Sequence, residues 1–161
     1  MDCDNESSLS SSDNNGNNKI SVFSRRVLLV DDTLINRKIL DRMMKQLGFR
    51  ETRCVGSGRA ALQELYQQRY DLVITDLQMP GMNGMELSEA IHAKSQHDEF
   101  FQAPVVVGLT ADTCLETVEN CKSSGMSDVI HKPITVEELK EFFERRISVL
   151  IDQNQSEYLE P

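Results

Sequence analysis

The sequence predicts an α/β domain in which five parallel strands form one sheet and five helices cover both of its faces. Apolar runs alternate with helical patterns five times between about residues 26 and 151. Two of the runs, Leu72-Val73-Ile74-Thr75 and Val105-Val106-Val107, are continuously apolar or nearly so, as strands are when helices lie on both sides. Three runs end in charged residues, at Asp31-Asp32, at Asp76 and at Lys132-Pro133. Strand ends of this kind form the mouth of a parallel α/β sheet, where such folds place their chemistry.

The strands are predicted at about 26–30, 51–55, 71–75, 104–109 and 128–131. After the first, Ile35, Ile39, Leu40, Met43, Met44 and Leu47 recur at helical spacing, and Gly48 ends the helix. Ala60, Leu62, Leu65 and Tyr66 mark the second helix. The third, carrying Met85, Leu87 and Ile91, is entered through Asn83-Gly84 with Glu86 three residues after the Asn. The fourth is expected to open with Thr113-Cys114-Leu115-Glu116 and the fifth with Thr135-Val136-Glu137-Glu138. Both fit the Thr-x-x-Glu box that satisfies orphan backbone donors at a helix start. Leu139, Phe142, Phe143, Ile147 and Leu150 share one face of the fifth. Crossovers between parallel strands are right-handed. Alternation alone does not fix the strand order. The expected flavodoxin-like order 2-1-3-4-5 makes strands 1 and 3 neighbours and brings Asp31, Asp32 and Asp76 together.

At 161 residues the chain is one domain's worth and long enough to bury a core. Residues 1–24 are rich in Ser, Asn and Asp and are expected to be a disordered leader. The domain itself is expected over 25–151, with a flexible tail at 152–161. A hydrophobic content of 39% without a long apolar stretch argues against a membrane span, and the first residues do not resemble a signal peptide. A formal net charge of −9 and a pI near 4.8 disfavour nucleic-acid binding, which needs a basic footprint. Cys3, Cys54, Cys114 and Cys121 have neither CxxC nor zinc-ligand spacing and read as reduced thiols of a cytoplasmic or nuclear protein. His92, His97 and His131 are expected at the surface without partners.

Converging carboxylates would repel one another strongly without a cation. Asp31, Asp32 and Asp76 therefore suit Mg²⁺ or Mn²⁺, the hard cations that take oxygen ligands. Such an ion would screen the pocket for an incoming phosphoryl group. Lys132 offers an ammonium and Thr110 a hydroxyl at the same rim, which gives the usual partners of a transferring phosphoryl group. Taken singly, an acid at a strand end is more often a helix cap than a ligand, and Lys132 alone reads as a solvated lysine. The joint reading rests on all of them falling at one end of the sheet in separate β-α units.

These pieces carry a resemblance. Val27-Leu28-Leu29-Val30-Asp31-Asp32, the stretch from Asp76 to Gly84, Leu109-Thr110-Ala111 and Lys132-Pro133 together resemble the response-regulator receiver domain of two-component phosphorelays. The resemblance implies that Asp76 accepts a phosphoryl group from a phosphohistidine on a histidine phosphotransfer protein or histidine kinase. It implies that Asp32, Asp76 and the Gln78 carbonyl bind Mg²⁺ directly, with Asp31 assisting through water. Thr110 and Lys132 would bind phosphoryl oxygens, and Gln78 and Asp112 would tune the phosphoryl lifetime. Asp31-Asp32-Thr33-Leu34-Ile35-Asn36-Arg37 and the segment from Ser95 to Ala103 resemble receivers of hybrid histidine kinases. The position three before the lysine, often aromatic in the family, is Val129. Asn36 and Pro133 are the expected partner-binding residues, and a monomer without a DNA-binding output domain is expected. The protein would catalyse only its own phosphorylation and dephosphorylation. Two alternatives compete with this reading. A metal-dependent aspartyl phosphohydrolase would want an acid where this chain has Gln78. A receiver-like module that is never phosphorylated would not need the intact acids, Thr110 and Lys132.

Overall fold

The computed structural model describes residues 22–147, 149–151 and 153. Five parallel strands, β1 (Arg26–Val30), β2 (Glu51–Val55), β3 (Leu72–Asp76), β4 (Val105–Thr110) and β5 (Asp128–His131), pair in the order β2-β1-β3-β4-β5. Five α-helices follow them in turn: α1 (Leu34–Gln46), α2 (Gly58–Gln67), α3 (Gly84–His97), α4 (Leu115–Ser123) and α5 (Val136–Phe142). Every residue of β3 and β4 is buried, whereas β2 and β5, at the two edges, are only partly covered.

Because side chains alternate along a strand, the sheet divides its apolar residues between two cores. Val27, Leu29, Leu72, Ile74, Val105 and Val107 pack with Leu40, Met44, Leu139 and Phe143 from α1 and the α5 region. Leu28, Val30, Val73 and Val106 pack on the other side with Ala61, Leu65, Leu87, Ile91 and Cys121 from α2, α3 and α4. The α5 helix runs on into a π-helical stretch, Phe143–Ile147. Its buried positions Leu139, Phe143, Ile147 and Ile151 recur every four residues, which drifts around an ideal helix of 3.6 residues per turn. A wider turn brings them back into line over the sheet.

Two strands, β3 and β4, lie one residue later than expected. Asp71 lies before β3 rather than in it, and its carboxylate accepts the Arg26 amide at 2.9 Å. Pro104 has no N–H for the ladder, so β4 starts at Val105, whose amide donates to the carbonyl of Asp71 at 3.0 Å. Both expected boxes at Asn83/Glu86 and Thr135/Glu138 form. The one expected at Thr113/Glu116 does not: Cys114 is the N-cap of α4 and makes no side-chain cap bond. Asp112 instead braces the helix start from outside, accepting from the Cys114 amide at 2.9 Å and the Thr117 hydroxyl at 2.6 Å.

Phe23 packs edge-on to Phe49 at 5.3 Å, so the core includes a residue of the stretch expected to be a leader. The rest of that leader up to residue 21, and the tail other than Gln153, lie outside the described residues. Cys54, Cys114 and Cys121 are free thiols, and burial pushes Cys54 and Cys121 up from the ordinary thiol range. Among the described residues no helix is long and apolar enough to cross a membrane.

Candidate functional site: an acidic pocket at the strand ends

The parallel order puts the C-terminal ends of β1, β3, β4 and β5 along one rim. Asp31 and Asp32 follow β1, Asp76 ends β3, Thr110 ends β4, and Lys132 follows β5. One carboxylate oxygen from each of Asp31, Asp32 and Asp76 lies within 4.8 Å of the others. Asp31 and Asp76 are buried, at 2% and 9% exposure, while Asp32 faces solvent. Lys132 Nζ lies 3.3 Å from Asp76 Oδ1 and 3.8 Å from Asp31 Oδ2. Three acids thus face one ammonium, and that imbalance is what a multivalent cation would relieve.

Local bonds hold these groups in place. Asp31 accepts the Thr33 amide at 2.8 Å and the Asn36 amide side chain at 3.3 Å. Arg37 Nη1 donates to the Asp31 carbonyl at 2.7 Å, fixing the end of β1. The Asp76 carbonyl accepts the buried Thr75 hydroxyl at 2.9 Å, and it sits directly against Gly84. A side chain at residue 84 would collide with that carbonyl, so glycine is required there for α3 to start so close to Asp76. The Gln78 amide donates to Asp76 Oδ1 at 3.4 Å.

On the opposite rim, Thr110 Oγ1 accepts the Asp112 amide at 3.0 Å. Thr110, Asp112, Gln78 and Thr117 line one depression of about 520 Å³. Gln78 and Asp112 therefore border the same depression, but the Asp112 carboxylate is already engaged with Cys114 and Thr117. Those two donors hold its carboxyl below the usual carboxylate range.

Asn36 and Pro133 both border a second, largely apolar groove of about 400 Å³ that also takes in Ile39, Met43, Ala111 and Ile134. The Lys132–Pro133 peptide bond is cis. Ile35 and Ile39 have the same helical spacing as the core residues, yet they are 66% and 54% exposed. They turn the outer side of α1 into an apolar surface beside the pocket. Two contacts around the pocket carry no signal in the local sequence pattern. Arg37 reads as an ordinary helix arginine, and its bond to the Asp31 carbonyl depends on how β1 meets α1. His131 was expected to lack a partner, but its Nδ1 lies 3.1 Å from the Asp112 carbonyl. His92 likewise has one, in Gln96 at 3.1 Å.

Comparison with known proteins agrees with this geometry. The response regulator receiver domain matches residues 27–144. The virulence sensor protein BvgS of Bordetella bronchiseptica is 36% identical over 119 residues, covering 73% of this chain and 10% of that protein. The chain thus spans about a tenth of the length of that relative. Among solved structures, the receiver domain of the Pseudomonas aeruginosa sensor histidine kinase PA1611, with a magnesium ion coordinated in its active-site cleft, is 29% identical with a TM-score of 0.66. That match covers 77% of this chain and 98% of the other. The receiver domain of Ssk1 from Saccharomyces cerevisiae, solved with the histidine phosphotransfer protein Ypd1, is 26% identical with a TM-score of 0.67, covering 73% and 85%. With its strand order, its rim of acids and the match over most of its length, this chain belongs to the response regulator receiver domains of two-component signalling.

Proposed function

We propose that Asp76 is the phosphoacceptor of this receiver domain and that the donor is a phosphohistidine on a histidine phosphotransfer protein or histidine kinase. The observation that carries this reading is the position of Asp76, a buried carboxylate between two further acids and an ammonium at 3.3 Å. In the transfer, the donor's P–N bond breaks as a P–O bond forms to a carboxylate oxygen of Asp76. The leaving imidazole keeps the bonding pair and takes up a proton. Lys132 neutralises charge beside Asp76, and Thr110 has a hydroxyl proton to offer a phosphoryl oxygen.

The all-oxygen donor set, with more acid than base, fits Mg²⁺ or Mn²⁺ held by Asp32, Asp76 and the Gln78 carbonyl, with Asp31 assisting through water. When bound, the ion would offset the negative charge of the acids and of the transferring group. Asp31, already engaged by Thr33, Asn36 and Lys132, is suited to the outer position. Asp32 is suited to the inner one, because among the described residues no side chain donates to it.

The phosphohistidine has to approach Asp76 in line, so its carrier must cover the pocket's edge. The apolar groove between α1 and Pro133, together with exposed Ile35 and Ile39, provides such a surface. That the Ssk1 receiver was solved with Ypd1 supports a phosphotransfer protein as the partner class.

The test is Asp76→Asn, which keeps size and fold while removing the acceptor oxygen's charge. Labelling by a phosphohistidine donor should disappear while circular dichroism stays unchanged. Undiminished labelling of the variant would contradict the assignment.

A further inference from the structure

All four polar groups of Asp112 are engaged. Its amide donates to Thr110 Oγ1 at 3.0 Å, and its carboxylate accepts from Cys114 and Thr117 at 2.9 and 2.6 Å. Its carbonyl meets His131 Nδ1 at 3.1 Å. The first three bonds are local to the β4–α4 loop. The fourth spans 19 residues and ties that loop to β5. A carbonyl only accepts, so Nδ1 must carry the proton; the bond exists in the Nδ1–H tautomer and in the imidazolium alike.

His131 stands opposite Thr110 in the β4–β5 register and directly precedes Lys132. The Lys132 amide in turn donates to the Thr110 carbonyl at 2.7 Å. With one lone pair of Thr110 occupied by the Asp112 amide, its hydroxyl proton is left to point elsewhere. Val129, earlier on β5 and partly buried, has no polar side-chain atom with which to hold the loop.

We propose that His131 is a positioning residue for the phosphoryl pocket. By holding the Asp112 carbonyl it fixes the loop that aims the Thr110 hydroxyl, so that Thr110, Lys132 and the start of α4 form one unit. This rests on the reading of Thr110 as a donor to phosphoryl oxygen.

Two substitutions at this exposed position separate the hydrogen bond from the bulk of the ring. His131→Leu keeps an apolar side chain and removes the donor. His131→Asn keeps a donor N–H at the same distance from the backbone. The full chain would be treated with phosphoramidate and Mg²⁺, since its P–N bond is that of a phosphohistidine, and amide hydrogen exchange would be followed without any donor. One net hydrogen bond corresponds to roughly a two- to tenfold change. His131→Leu should slow phosphoryl uptake by that factor and speed exchange at Asp112 and Cys114 similarly. His131→Asn should stay close to wild type in both. Wild-type behaviour of the Leu variant, or equal defects in both variants, would overturn the proposal. If wild-type protein took up no phosphoryl group, the phosphoacceptor reading would fall. The exchange measurement needs no phosphoryl chemistry, and unchanged exchange in His131→Leu would overturn the role of His131 by itself.

Discussion

On one flank of the pocket α1 runs 13 residues, buries Leu40 and Met44, and begins where Thr33, Asn36 and Arg37 all bond to Asp31. On the other, α4 runs 9 residues, buries only Cys121, and hangs on the exposed residue Asp112. Both helices lack a side-chain cap of their own. The first compensates with a buried carboxylate that also belongs to the acidic cluster, the second with a solvent-facing one. Hydrogen bonds in water contribute less to local stability than those in a packed interior, so the two flanks should open with different ease. The α1 flank is built to hold charge in place. On the proposed function, the α4 flank is the one expected to respond when Thr110 finds a new partner.

The contrast breaks first at the acids. Asp32→Ala should lower Mg²⁺ affinity at least about tenfold in a calorimetric or fluorescence titration, because the proposed site would lose an inner ligand. Asp112→Asn should leave that affinity within about twofold, since its carboxylate serves α4 rather than the cluster. Equal losses would mean that the two flanks share the ion.

Next comes the surface. Ile39→Glu puts a charge on the apolar groove without disturbing the core, and should weaken binding of a phosphotransfer protein by about tenfold, or 1.4 kcal/mol. Chemical-shift changes on partner binding should fall on α1 and around Pro133. A footprint on α2 and α3 would move the interface elsewhere.

A smaller effect is expected in the depression shared by Gln78 and Asp112. Exchanging either for another polar residue should change the decay of phosphorylated protein several-fold, about one to two kcal/mol in barrier. Uptake from the donor should change much less. Decay rates that match wild type in both variants would place the water's route outside this depression.

The smallest effect is in pH. The carboxyl of Asp112 is held below its unfolded value by Thr117 and Cys114, so its stabilising contribution is fully present above the ordinary aspartate range. It is lost as pH falls through the lowered folded value. Amide protection in the first turn of α4 should therefore fade in acid, and Asp112→Asn should remove that pH dependence. Protection that rises toward low pH would contradict the sign.

Much of this was legible beforehand because it depends on local pattern. The continuous apolar runs locate β3 and β4, and the Asn83/Glu86 and Thr135/Glu138 spacings mark real helix starts. Placing Asp31, Asp32 and Asp76 together needs only the strand order. The differences at Thr113 and His131 come from structure outside the local pattern. Thr113 does not cap α4 because the helix starts one residue later, with Cys114 as N-cap, and Asp112 braces that start through the Cys114 amide and the Thr117 hydroxyl. Ile35 and Ile39 match the period of the core, but periodicity does not say which apolar residues of a wide stripe meet the sheet. His131 finds its partner only through the register of β5 on β4, which no local pattern contains.

The most direct measurement is residue-resolved amide hydrogen exchange on the full chain, with and without a phosphoryl group on Asp76, in Mg²⁺ buffer. The account predicts that protection changes most from Thr110 through Val118, at the end of β4 and the start of α4. The first turns of α1 and the Asp31 region should change little. Changes centred on α1, or spread equally over both flanks, would contradict it.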